Sequence, residues 1–168
     1  MLFKIGVLIY GYFAGALIQA GYWMGKFNKI DIRDYGSGNA GTTNVMRTLG
    51  KKAGIATYLL DAFKAVIADI LIHFLIVPHT AIPEMLLFLY CGLGIVLGHN
   101  FPVTLGFRGG KGIAASVGFL IAFDWRLFVL CAIVFFVLFL GTHYVSLCSL
   151  SCYLVALIAM IVRGEMGG

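Results

Sequence analysis

Residues 5–25 carry no charged side chain and run for the roughly 20 residues that a helix needs to cross a hydrocarbon core. Further apolar segments follow at 53–77, 82–98, 112–123, 127–141 and 145–162. This pattern predicts an all-α fold, a polytopic transmembrane helical bundle of about six membrane helices. Residues 1–168 are expected to form a single integral membrane domain, with no linker or low-complexity tract. Composition agrees, because only 11% of the residues are charged and 61% are hydrophobic. A soluble domain would carry about a quarter charged residues. The first segment reads as a retained helix: Lys26 and Lys29 follow it, and no small-residue cleavage site does.

Charge is confined to alternate connections. Lys26, Lys29, Arg33, Arg47, Lys51 and Lys52 follow the first segment, and Arg108 and Lys111 follow the third. The intervening connections hold no lysine or arginine at 78–83 and only Arg126 at 124–126. The positive-inside tendency therefore puts the two basic connections in the cytoplasm and the N-terminus outside, despite Lys4. The net charge of +5 belongs to these connections, so it gives no reason to invoke a nucleic-acid partner.

Both basic connections are rich in glycine. The first reads YGSGNAGTTNVMRTLGKKAG at 35–54, and the second reads GHNFPVTLGFRGGKG at 98–112. Glycines let backbone N–H groups converge on an anion, and lysine and arginine supply the opposing charge. Two such loops on one membrane face suggest an enzyme that holds phosphate groups there. Residues 112–123 would span only about 18 Å as a helix, short of the roughly 30 Å core. Either the protein is thin at this point, or the second loop dips below the membrane surface into a polar cavity, where irregular backbone is tolerated.

Several tempting motifs fail on context. GSGNAG at 36–41 matches G-x-G-x-x-G, and Asp61 follows at a suitable distance, but a membrane segment precedes it where a strand is required. In RGGKG, Lys111 is followed by Gly112, so it is no Walker loop, and no G-x-S-x-G elbow occurs. None of the histidines at 73, 79, 99 and 143 has an aspartate five positions on. Cys91, Cys131, Cys148 and Cys152 all lie in apolar segments and read as small buried hydrophobes. No metal and no cofactor is expected. Asp61 and Lys64 are three apart and share a helix face, with Asp69 and His73 further along. That pair is either an ion pair orienting its helix or a means of aiming Lys64 at an anion.

The combined pattern resembles a known family. Residues 31–52 read D-I-R-x-x-G-S-G-N-x-G-x-T-N-V-x-R-x-L-G-K-K, D-x-x-K falls at 61–64, and G-H-x-F-P with F-R-G-G-K-G falls at 98–112. These are similar to the signatures of the bacterial acyl-phosphate-dependent glycerol-3-phosphate acyltransferases. Tyr144-Val145-Ser146-Leu147 resembles a shorter patch of that family before a later helix. The resemblance implies transfer of a fatty acyl group from acyl phosphate to position 1 of glycerol 3-phosphate, giving lysophosphatidic acid for phospholipid synthesis. It implies a multi-pass protein of the bacterial inner membrane with its site loops on the cytoplasmic side. The partners would be glycerol 3-phosphate, fatty acyl phosphate, membrane lipid and possible supply from an acyl-phosphate-forming enzyme.

By the same resemblance, Ser37, Arg47 and Lys111 contact glycerol 3-phosphate, and His99 is a general base, an orienting donor or a structural histidine. Gly38, Asn39, Gly41, Thr43 and Asn44 cradle the acyl-phosphate group. Arg108 stands where lysine is common, and Gly109, Gly110 and Gly112 permit close backbone approach. Ser146 joins the substrate-binding set, while Asp61 and Lys64 support the site from behind. Acyl phosphate is an activated anhydride, so the hydroxyl can attack it directly and a protein nucleophile is unnecessary.

The chain departs from the pattern in places. Ala14-Gly15-Ala16-Leu17 stands where the family has a Gly-Ser-x-Pro-like stretch, and Ala65 stands where glycine is usual. A seventh helix with an H-R-x-N-I-x-R-L-type signature is expected to follow, whereas this sequence runs to 163–168. Six crossings would leave both termini outside and part of the acceptor pocket unfilled. Two other readings use the same residues. One is a transporter or channel for a phosphorylated solute, which basic loops and intramembrane charges would also serve. The other is a non-catalytic membrane module.

Overall fold

The computed structural model describes residues 2–162 and Gly164. Helices α1 (Leu2–Leu17), α2 (Ala20–Phe27), α3 (Thr42–Leu49), α4 (Lys51–Leu75), α5 (Glu84–Asn100), α6 (Ile113–Phe123), α7 (Trp125–Thr142) and α8 (Val145–Val162) follow one another. Short 3-10 turns lie at Ile32–Asp34, Val77–His79 and Val103–Leu105, and the described residues contain no strand. The all-α expectation holds. The end of the sequence at 163–168, apart from Gly164, lies outside the described residues.

Among the described residues, four helical stretches are long and apolar enough to cross a membrane: Leu2–Phe27, Glu84–Leu105, Trp125–Thr142 and Val145–Val162. Of the six segments expected, α4 is long enough but charged, and α6 has only 11 residues. Beyond the exposed Lys51 and Lys52 at its start, the charges of α4 turn inward. Asp61 and Lys64 are 1% and 4% exposed, while Phe63, Ile67, Ile70 and Phe74 face outward. That inversion is how a helix carries ionisable groups among lipid, because each charge left in hydrocarbon costs at least a few kcal/mol.

Two details of chain path differ from the sequence reading. The stretch 35–54 is a loop only as far as Gly41, because α3 and the start of α4 occupy the rest. Gly41 is extended and precedes α3, and Gly50, at φ +93°, separates α3 from α4 in a conformation that favours glycine. The first apolar segment is also broken, at Ile18 and Gln19 between α1 and α2.

The residues divide into two compact units, Met1–Phe123 and Asp124–Gly168. Within the first, α1 lies along α5 at backbone contact. A Cβ on Gly11 or Gly15 would strike the carbonyls of Cys91 and Ile95, and one on Gly94 or Gly98 would strike those of Leu8 and Tyr12. Small residues on both helices therefore set the approach, as expected where lipid gives no hydrophobic drive between helices. Val7, Ala65, Ala68, Ile72, Leu87, Cys91, Ile95 and Ala115 form the core of this unit. The second unit is the pair α7 and α8. Asp124 caps α7 by accepting from the amides of Arg126 and Leu127, and the thiols of Cys131 and Cys152 each donate to the other residue's carbonyl.

Candidate active site at the junction of two glycine-rich loops

The first loop is wound around one side chain. Asn44, 2% exposed on α3, donates its amide to the carbonyls of Ile32, Tyr35 and Asn39, each at 3.0 Å. Its Oδ1 accepts from the Ser37 amide at 2.9 Å. Gly36 and Gly38 take positive φ, +58° and +70°, to bend the chain around it. Asn39 Oδ1 accepts from the Gly41 amide at 3.0 Å, which fixes the entry to α3. Asn44 is thus committed to building the loop and has no free polar atom to present. Ser37, Gly38, Thr43 and Arg47 are left exposed along its rim.

Beside it, Asp31 and Arg33 form a bidentate pair, with Nε to Oδ1 at 2.9 Å and Nη2 to Oδ2 at 2.7 Å. The Arg33 hydrogen bonds hold the Asp31 carboxyl down at about 2, and the same partner raises Arg33. Arg33 has a donor to spare: Nη1 reaches the Leu105 carbonyl of the second loop at 2.9 Å.

The second loop folds back on the end of α5. The Gly109 amide donates to the Asn100 carbonyl at 3.2 Å, and the Gly110 amide donates to the His99 carbonyl at 3.0 Å. A Cβ on Gly109 would collide with that His99 carbonyl, and one on Gly110 would collide with the His99 ring. Gly112 sits at φ +76° just before α6. Arg108 and Lys111 project into solvent on either side of the two glycines. From α1, the Tyr12 hydroxyl donates to the Phe101 carbonyl at 2.8 Å and accepts from the Val103 amide at 3.1 Å. Thr104 donates to the Ala16 carbonyl at 3.0 Å.

The loops meet. The Ala40 amide of the first donates to the Gly109 carbonyl of the second at 3.5 Å, two residues before Lys111. The fold therefore joins two glycine-rich, basic segments that lie some distance apart in sequence.

Beneath the junction lies a buried polar floor. Lys64 Nζ is 2.9 Å from Asp61 Oδ1, 2.8 Å from His99 Nδ1 and 3.2 Å from the Gly15 carbonyl, and it also donates to the Ile18 carbonyl. The helix break between α1 and α2 frees these carbonyls, and Lys64, paired with Asp61, satisfies them. Lys64 is occupied here, so of the two readings of the pair the geometry favours the orienting one. Ser146 stands in the second unit, exposed in the first turn of α8. No group of three or more potential metal ligands occurs among the described residues.

Over residues 5–166 the sequence matches the glycerol-3-phosphate acyltransferase family. The chain belongs to that family. It is 41% identical over 160 residues to glycerol-3-phosphate acyltransferases of Streptococcus pneumoniae strains Hungary19A-6 and CGSP14, covering 94% of this chain and 71% of each relative. Its fold is similar to that of PlsY (YgiH), an integral membrane glycerol 3-phosphate acyltransferase solved in a glycerol 3-phosphate form, with a TM-score of 0.83 at 34% identity. That match covers 96% of this chain and 78% of the solved one. A lysophosphatidic acid form of PlsY matches with a TM-score of 0.80.

As a member of the glycerol-3-phosphate acyltransferase family, the protein is a membrane-integral acyltransferase. Sequence reasoning passed over two residues that shape its site. Gln19, 1% exposed, donates from Nε2 to the carbonyls of Gly15, Gly98 and His99. An amide inside an otherwise apolar run was the available signal, since such a group seeks the bundle interior. Tyr12 gave no signal, because a tyrosine in an apolar segment is indistinguishable from lipid-facing aromatics.

Proposed function

We propose that this acyltransferase transfers a fatty acyl group from acyl phosphate to the sn-1 hydroxyl of glycerol 3-phosphate, forming lysophosphatidic acid at the cytoplasmic face of the bacterial inner membrane. The observation that supports this reading most directly is the meeting of the two loops at Ala40 and Gly109. Each substrate carries one phosphate, and the junction offers amide-rich backbone with exposed Ser37, Arg47, Arg108 and Lys111 around it. Ser37, Arg47 and Lys111 hold the glycerol 3-phosphate. Asn39, Gly41 and Thr43 line the place of the acyl phosphate, and Asn44 keeps their backbone in shape. Ser146 is assigned to the substrate-binding set through the family resemblance alone.

In the reaction, the glycerol hydroxyl oxygen bonds to the acyl carbon, the bond from that carbon to the phosphate oxygen breaks, and the hydroxyl proton leaves with the phosphate. Positioning and charge stabilisation supply the catalysis, because the donor is already activated.

Purified protein incubated with palmitoyl phosphate and labelled glycerol 3-phosphate should give labelled lysophosphatidic acid, and acyl-CoA should not replace the donor. Equal turnover with acyl-CoA would overturn the donor assignment. Uptake of glycerol 3-phosphate into liposomes without lipid product would overturn the enzymatic reading itself.

A further inference from the structure

The buried floor makes a statement about the chemistry of His99. Lys64 Nζ faces the Asp61 carboxylate and the carbonyls of Gly15 and Ile18. Every one of these partners is an acceptor, which is the environment of an ammonium. An ammonium has three donors and no lone pair. His99 Nδ1, 2.8 Å from this group, faces a cation that cannot accept and so shares its donors with the weaker Gly15 contact, while the Asp61 Oδ1 atom, 3.6 Å from Nδ1, is too far to hydrogen-bond a proton there. With Nδ1 accepting, the ring carries its proton on the other nitrogen.

That other nitrogen has a defined direction. The Nε2 edge of the ring lies against Gly110, where a Cβ would collide with it, and Lys111 is the next residue. Gln19 ties the carbonyl of His99, and that of Gly98 before it, to the broken end of α1. The backbone of His99 is thereby fixed as firmly as its ring.

We infer that Asp61, Lys64 and Gln19 act as positioning residues that lock His99 with its proton on Nε2, so that His99 serves the loop junction as a hydrogen-bond donor and not as a general base. This rests on the acyl-transfer reading for what is being donated to, but not for the tautomer. The inference accounts for a charge pair in the bundle interior whose members touch neither loop. It also fits a reaction in which the departing phosphate takes the proton, so that no protein base is required.

The test has two arms. In the first, the full chain, labelled with nitrogen-15 at histidine and held in lipid nanodiscs, is compared with His99→Gln to assign the ring signals. The expected spectrum has Nδ1 bare and Nε2 protonated, and in the double variant Asp61→Asn/Lys64→Met the two tautomers should mix. A wild-type ring protonated on Nδ1, or on both nitrogens, overturns the inference whatever the protein acylates. The second arm is kinetic. Gln at position 99 has an amide that can reach the place of Nε2, so His99→Gln should keep kcat within about tenfold, while His99→Leu should lose on the order of 100-fold. Equal losses in the two would mark a base and overturn the donor role. Absence of turnover in the wild type would count against the acyl-transfer reading and leave the first arm intact.

Discussion

The two glycine-rich loops reach similar shapes by opposite means. The first, at 35–41, is organised from within its own sequence neighbourhood, since Asn44, Asn39 and the Asp31–Arg33 pair all lie within about a dozen residues. The second, at 101–112, is tied locally to the end of α5 just before it and, in addition, to distant elements: Tyr12 and the Ala16 carbonyl of α1, Arg33 beside the first loop, and Ala40 within it. A locally organised loop depends on a few of its own side chains and fails sharply when one is lost. One organised from outside spreads its dependence over distant helices, each contributing a little. The contrast predicts where mutations will matter.

The largest effect should come from Asn44→Ala. It leaves three carbonyls and one amide without their partner, at about 1 kcal/mol each, or roughly 3–4 kcal/mol in all. Ser37 also loses the bond that sets its backbone. The variant should melt well below the wild type, with kcat/KM down on the order of 100-fold or more. If it matched the wild type in both, the first loop would have to be held from outside as well, and the comparison would fail.

Lys111→Ala comes next and concerns chemistry alone. Loss of a charge-assisted bond to a substrate phosphate is worth roughly 1.5–3 kcal/mol, about 10- to 150-fold in kcat/KM. The exposed lysine contributes little to the fold. Unchanged melting with reduced kcat/KM is the expected pattern, and full activity would remove Lys111 from the site.

These effects differ in how far the sequence disclosed them. The helices were legible because apolar segments of the right length have few alternatives in lipid. Lys111 and Arg47 were legible as candidates because basic residues beside glycines have a recognisable chemistry. Asn44 was legible as important but not in its role: whether an amide faces a ligand or its own loop depends on the path of the backbone around it. Gln19 and the break at Ile18 were not read, because hydropathy averages over a window and a two-residue interruption hardly lowers the mean. The Lys64–His99 contact was beyond reach for another reason, since it joins helices 35 positions apart.

A smaller effect, on stability and dependent on pH, should arise at the link between the loops. Asp31 titrates at about 2 in the folded protein, below the ordinary 3.8, because Arg33 hydrogen-bonds its charged form. A folded-state value below the unfolded one stabilises the fold above the ordinary value and ceases to do so as pH falls through about 2. Solvent around the pair screens its charges, so the increment should be about 1 kcal/mol. In unfolding measurements from pH 5 downward, the wild type should lose this increment between about pH 4 and pH 2. Asp31→Asn should lack it at every pH, so the two proteins should converge in acid. A constant difference across the range would mean that the pair contributes shape but no net charge stabilisation.

The smallest single effect should be that of Tyr12→Phe, and it bears most directly on the second loop. The lost hydroxyl bridges the Phe101 carbonyl and the Val103 amide at the surface, where water can replace it. About 1 kcal/mol, or roughly a fivefold fall in kcat/KM, is the most it should cost. Thr104→Ala removes the neighbouring bond to the Ala16 carbonyl and should cost a similar amount. Both bonds fasten the same short segment to the same helix, so either can hold it when the other is gone. The double variant should therefore lose more than the sum of the two, with a coupling of about 0.5 kcal/mol or more. Strict additivity would mean that the two contacts act on separate pieces of the loop. A large loss from Tyr12→Phe alone would show that one residue of α1 governs the second loop much as Asn44 governs the first, and the two loops would then differ only in how far away their organising side chain lies.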